Sequence, residues 1–171
     1  MALRRILHYP EPILTQVSAP VKYIDEHLIS VVADMVDTMY AAPGVGLAAP
    51  QIGVLKRVVI IDCGSKEEPD LIKAVNPQIV DSAGECSEEE GCLSVPDYYA
   101  CVKRKSWVKV RYQDMLGKWI EQECEGLLAI AFQHEIDHLD GKLFVDRLSS
   151  LKKGIFKKKY KQIKEQQGEQ L

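Results

Sequence analysis

Hydrophobic positions along this chain follow two periods. Leu28, Val32, Met35, Val36 and Met39 fall on one stripe at helical spacing, so residues 25–41 are predicted to form an amphipathic helix. Asp25 is placed to cap it, and Ala42-Pro43-Gly44 stops it. Residues 126–139 are apolar on nearly every side before a polar patch, which reads as a core helix. A last helix is predicted from about Leu148 to the end. Between these, residues 57–62 (R-V-V-I-I-D) read as a strand. Residues 71–80 read as another, broken by Asn76-Pro77. Residues 107–113 alternate apolar and polar, Asp114-Met115-Leu116-Gly117 turns the chain, and residues 118–124 return, which is a hairpin. Strands in the middle, with helices at the ends and after the hairpin, predict an α+β fold. Its antiparallel sheets pack around the central helix 126–139, with further helices towards the N- and C-termini.

Composition narrows the class. The 171 residues suit one domain with a real core, and 46% hydrophobic with 27% charged residues is the balance of a soluble protein. No apolar run approaches the roughly 20 residues of a membrane span. The first residues show no secretory or organellar targeting pattern. Five cysteines without such a signal point to reduced thiols, so a cytoplasmic location is expected. The net charge of −3 hides an asymmetry, because residues 152–164 hold seven lysines and no acid. A basic tail on an acidic body suits a polyanionic partner, although composition alone favours a solvated helix face.

Candidate chemistry is concentrated in Gln133-His134-Glu135-Ile136-Asp137-His138. Four residues are a little over one helical turn, so His134 and His138 stack on one face and can share a metal ion. Glu135 between them can handle protons for a metal-bound water. The plainer alternative is a buried helix with two hydrogen-bonded histidines. Against it, a charged Glu135 on a core helix is costly unless it is paired or works beside a metal or water.

Two histidines leave a divalent ion short of ligands. Cys92, beside Gly91 and among polar residues, suits the third position better than Cys63 or Cys124 in their strand-like apolar contexts; Cys86 and Cys101 remain open. The small-residue stretch 44–53 has no Lys-Ser/Thr and precedes a strand, so it is no phosphate cradle. Its glycines mean backbone passing close to something, and Gln51 is its one side chain that both donates and accepts. Leu127, Ile130 and His134 share a helix face, which sets an apolar patch one turn from the metal. With Val45 it could accept an apolar chain, the plainer alternative being that Leu127 and Ile130 are core.

Three segments, Gly44-Val45-Gly46-Leu47-Ala48-Ala49-Pro50-Gln51, Glu90-Gly91-Cys92-Leu93-Ser94 and Gln133-His134-Glu135-Ile136-Asp137-His138, resemble the signature segments of the peptide deformylases. They stand in the family's order, and the resemblance covers most of the chain. It implies a metallohydrolase that removes the formyl group from N-formylmethionine of newly made polypeptides and releases formate. Cys92, His134 and His138 would hold one ferrous ion, with zinc, nickel or cobalt as possible substitutes. Glu135 would be the general base, and Gln51 with the Leu93 N–H would hold the oxyanion. Val45, Gly46, Glu90, Leu127 and Ile130 would form the substrate site, and Gly46 would offer backbone hydrogen bonds.

Residues 1–150 are expected to form the catalytic domain and 151–171 a basic helical extension, which in bacterial relatives docks on the ribosome near the tunnel exit. Deleting residues 152–171 is then expected to weaken ribosome binding and spare activity on short peptides. Three positions depart from the family pattern: Glu88 replaces an apolar or aromatic residue, Tyr99 an arginine, and Phe132 a smaller aliphatic one. Glu90 and Arg104 are expected to pair. The rival readings are a zinc metallopeptidase of the His-Glu-x-x-His type and a closed structural Cys/His site with a basic binding tail.

Overall fold

The computed structural model describes residues 2–168. Helix α1 spans Glu26–Ala41, and the Asp25 carboxylate accepts the Leu28 N–H at its start. Seven strands follow: β1 (Gly46–Ala48), β2 (Val58–Asp62), β3 (Leu71–Ala83), β4 (Cys86–Cys92), β5 (Val95–Arg104), β6 (Trp107–Gln113) and β7 (Trp119–Glu125). Helix α2 spans Gly126–Leu139 and α3 spans Ser150–Gln166. The predicted α+β class holds. The last helix begins at Ser150 rather than Leu148, because the Ser149 hydroxyl caps it by accepting the Lys152 N–H. Residues 169–171, to which that prediction also extended, lie outside the described residues.

Five strands form one antiparallel sheet in the order β1-β2-β3-β6-β7. Helices cover both its faces. Leu28, Val32, Met35 and Met39 of α1 pack with Val58 and Ile60, while Phe132, Ile136 and Leu139 of α2 pack with Val59, Ile61 and Val110. That double cover explains the unbroken apolar run of β2, all of whose residues are buried. The break expected at Asn76-Pro77 is a register shift within a continuing strand. Asn76 adopts the left-handed conformation (φ 52°), donates to Val21 O and Gln113 Oε1, and accepts the Val21 N–H, so its amide replaces the lost ladder bonds.

Strands β4 and β5 form a separate two-stranded ribbon, which the sequence pattern did not predict. It packs through Val95 and Val102 against Phe144, Val145 and Leu148, and against Phe156 and Tyr160 of α3. The C-terminal helix is thus held by aromatic contacts, with Phe156 and Tyr98 ring centroids 4.8 Å apart. Lys152, Lys157, Lys158, Lys159 and Lys161 are exposed along it, whereas Lys164 is buried with its ammonium 5.3 Å from the Tyr160 ring. No described helix is long and apolar enough to cross a membrane.

Candidate metal centre and cleft

Helix α2 delivers His134 and His138 one turn apart, as their spacing requires, and the C-terminal end of β4 brings Cys92 to them. One donor atom from each lies within 4.8 Å of the other two. Ligands at about 2.3 Å for sulfur and 2.0–2.1 Å for imidazole, spread tetrahedrally, stand about 3.5 Å apart. Cys92 Sγ and His138 Nε2 are 3.4 Å apart, which fits. Among the described residues no fourth donor joins the cluster, and Cys86, Cys101, Cys63 and Cys124 lie outside it. Three donors leave a position open, the arrangement of a catalytic rather than a structural site.

Electrostatics fit the same ion. Burial alone would lower His134, but Cys92 Sγ and the Glu90 carboxylate push it well above the ordinary imidazole value. Positive charge is therefore favoured at that point. Burial holds His138 well below its ordinary value, so it stays neutral, as a ligand must. Burial also pushes Glu135 up to about 7. A cation on the three donors would draw that value back down. Among the described residues Glu135 Oε2 is buried without a hydrogen-bond partner. An orphaned carboxylate oxygen beside three metal donors is a group waiting for a proton or a water.

The ligands are oriented by a buried ion-pair chain. His134 Nδ1 donates to Glu90 Oε1 at 2.9 Å, which leaves Nε2 for the ion. Arg104 grips Glu90 with two bonds of 2.9 Å and donates a third, of 2.6 Å, to Asp137. Arg147 then donates twice to Asp137. The predicted Glu90–Arg104 pair is present. Burial opposes the Glu90 charge, but bonds from His134 and Arg104 outweigh it and hold the carboxyl below its usual range. Asp137, Arg147 and Ser94 were missed. Asp137 carried a signal, since the cost argument used for Glu135 on a core helix applies to it equally. Gln133 ties α2 to the ribbon: its amide accepts the Lys105 N–H and donates to Lys105 O and Ala129 O.

The glycine loop explains itself in three dimensions. A Cβ on Gly46 would lie 2.6 Å from Glu135 Oε1, so the backbone passing close to something is β1 passing over the candidate base. Gln51 is buried; its Oε1 accepts the Ala48 N–H, and its Nε2 donates to Ser94 Oγ at 3.0 Å and faces Cys92 Sγ at 3.7 Å. Leu93 lies in the turn between β4 and β5, next to Cys92. A cavity of about 700 Å³ opens above these groups. Val45, Gly46, Gln51, Glu90, Leu93, Leu127, Ile130 and Glu135 all line it. Leu127 is 53% exposed, so it is cleft wall and not the plain core that such residues usually are. Phe132 faces the other way, fully buried and stacked on Tyr112.

Three protein donors with an open position, an adjoining carboxylate and a deep cleft define a metal-dependent hydrolase. The family model of the polypeptide deformylases matches residues 3–154. A peptide deformylase from Syntrophobacter fumaroxidans is 51% identical over 162 residues, covering 94% of this chain and 95% of that protein. The crystal structure of a peptide deformylase from Legionella pneumophila superposes with a TM-score of 0.90 at 50% identity, covering 99% of this chain and 100% of that one. The peptide deformylase of Acinetobacter baumannii, crystallised with Met-Ala-Ser bound, superposes at 0.81 with 36% identity, covering 86% of this chain and 99% of that one. The chain belongs to the polypeptide deformylase family. The metallopeptidase reading is not favoured.

Proposed function

We propose that this enzyme removes the formyl group from N-formylmethionine of newly made polypeptides, with Cys92, His134, His138 and Glu135 at the reacting centre. The observation that carries the reading is the gathering of those three donors within 4.8 Å of one another, at a cleft that Cys92, His134 and Glu135 line and where, among the described residues, a buried Glu135 oxygen has no hydrogen-bond partner. Cys92, His134 and His138 would hold a divalent ion, ferrous iron with zinc, nickel or cobalt as substitutes, which would supply Lewis-acid polarisation and make water a better nucleophile at neutral pH.

Glu135 takes a proton on its free carboxylate oxygen and returns it to the leaving amine. The Gln51 Nε2 and the Leu93 N–H donate to the oxygen that gains charge; one such donor contributes about 2.7–4 kcal/mol in a known hydrolase. Val45, Leu127 and Ile130 bind the methionine side chain by burying its apolar surface. Among the described residues β1 pairs only with β2, so Gly46 stands on a sheet edge where an extended peptide adds as a further strand. The Glu90 carboxylate is committed to Arg104 and His134, so contact with substrate there falls to its main chain. That Met-Ala-Ser binds the Acinetobacter relative supports a methionyl peptide as the product.

Residues 1–150 carry the catalysis, in the cytoplasm, and 151–171 form a basic extension that binds the ribosome near the tunnel exit. Because Phe156 and Tyr160 are buried against the ribbon, deleting that helix would also disturb the fold. Changing the five exposed lysines to glutamine is the cleaner test, and ribosome binding should fall steeply while formyl-peptide turnover holds.

The decisive experiment is formate release from formyl-Met-Ala-Ser by protein purified without oxygen and loaded with ferrous iron. Turnover should fall by a factor of about 10²–10⁴ in Glu135→Ala. No release, with one metal bound per chain, would overturn the assignment.

A further inference from the structure

Ser94 is fully buried beside the metal donors, and its polar atoms take partners from three different parts of the chain. Its main-chain N–H donates to Cys92 Sγ at 3.4 Å, its carbonyl accepts the Tyr9 N–H at 2.8 Å, and its hydroxyl accepts from Gln51 Nε2 at 3.0 Å. The same N-terminal segment also holds the backbone of Gln51, because the Leu7 N–H donates to the Gln51 carbonyl at 2.8 Å. Ser94 and Gln51 are therefore laced to one piece of chain as well as to each other.

A glutamine amide turns easily about its last torsion, which joins an sp³ to an sp² carbon and has only broad wells. Here the amide is fastened at both ends. Oε1 accepts the Ala48 N–H at 2.9 Å, and Nε2 gives one hydrogen to Ser94 Oγ. The second Nε2 hydrogen is left over. Nε2 stands 3.7 Å from Cys92 Sγ, so that hydrogen is directed toward the metal donors. The Ala48 bond decides which end of the amide faces the donors. The Ser94 bond decides the angle at which the remaining N–H leaves. Both side chains are buried, so water does not compete for either bond.

Resting on the deformylase reading above, we propose that Ser94 is a positioning residue for the reaction: its hydroxyl occupies one hydrogen of the Gln51 amide and so aims the other at the carbonyl oxygen that gains charge. A donor set in place beforehand needs no reorganisation as that charge forms, and a displacement of about 1 Å can cost about 10²-fold in rate. Alanine at position 94 keeps the main-chain N–H that faces Cys92 Sγ, so it removes the aim and leaves the metal donors as they are.

The test is a double-mutant cycle on formyl-Met-Ala-Ser with the metal-loaded enzyme. Ser94→Ala should bind one metal per chain as tightly as the parent, yet its kcat should fall by a factor of about 10–100 with KM held within about twofold. In a Gln51→Ala background the same substitution should cost nothing further, because no amide remains to be aimed. NMR of the zinc-loaded protein reads the aim directly: the Gln51 side-chain hydrogens should exchange slowly with water in the parent and about tenfold faster in Ser94→Ala. An unchanged kcat in Ser94→Ala, an equal loss in both backgrounds, or loss of metal in place of loss of kcat would overturn the proposal and leave deformylation standing. So would parent Gln51 hydrogens that exchange as fast as those of an exposed glutamine, a result that needs no variant. No formate from the parent itself would overturn the deformylase reading and the role given to Ser94 with it.

Discussion

β2 reads Val58-Val59-Ile60-Ile61-Asp62 and buries every residue, whereas β4 reads Cys86-Ser87-Glu88-Glu89-Glu90-Gly91-Cys92 and buries only Glu90. The five-stranded sheet is held by apolar burial between two helices, a diffuse force that tolerates exchange of one aliphatic residue for another. The ribbon has an apolar foothold on α3, but it is tied to α2 by polar groups: Arg104, at the end of β5, forks onto Glu90 two residues before Cys92 and bonds Asp137, and Gln133 clamps Lys105 just after β5. Hydrogen bonds between charged groups are directional, so they set where a ligand points as well as that it is present. One region supplies stability and the other supplies position.

Arg104→Ala should strike hardest, because it attacks both at once. It leaves Glu90 and Asp137 buried with fewer counter-charges, a loss of about 3–5 kcal/mol. Metal affinity should also fall by a factor of about 10–100, since His134 loses the anchor behind its Nδ1 partner. Denaturant unfolding and metal titration measure the two losses, and an unchanged metal affinity would break the distinction between the regions. Ile60→Ala, on the α1 side of the sheet, should cost about 2–5 kcal/mol through the cavity it leaves. Its kcat and metal affinity should match the parent at a temperature where both are folded, and a changed kcat would mean the sheet also sets the site.

The smallest effect concerns acid. The Tyr40 hydroxyl, 2.5 Å away, and the Asp70 and Gly64 N–H groups hold Asp62 below the usual carboxylate range despite some burial. A folded value below the unfolded one stabilises the protein above the ordinary aspartate value of about 3.9. That contribution is lost as pH falls from there through the lowered folded value. The melting temperature of the parent should therefore drop more steeply below about pH 4 than that of Asp62→Asn. Parallel curves would remove Asp62 from the sheet's acid response.

The same contrast decides what the bare sequence discloses. Helices α1 and α2, strand β2 and the β6–β7 hairpin announce themselves because each has to bury an apolar stripe or run. The ribbon stays hidden because β4 carries charge where an ordinary strand would alternate: one carboxylate faces Arg104 and others face the cleft. Its partner β5 has no apolar period that distinguishes it from loop. The bulge at Asn76 looks like a strand end for a related reason, since an asparagine that replaces ladder bonds with its own amide has the local signature of a turn.

His134, Glu135 and His138 follow from sequence alone, because helix geometry converts a spacing of four into a shared face without help from the rest of the chain. The three matched segments, being local, were equally legible and sufficed to name the family. The tertiary structure alone decided the rest. It brought Cys92, already preferred from the sequence, up to the two histidines, turned Arg104, Asp137 and Arg147 into their supports, laid Gly46 over Glu135, and gathered Glu88, Glu89, Asp97 and Tyr99 at one opening. Each of these joins residues distant in the chain or on different elements. Such contacts depend on how sheet, ribbon and helix pack, and no local spacing encodes that.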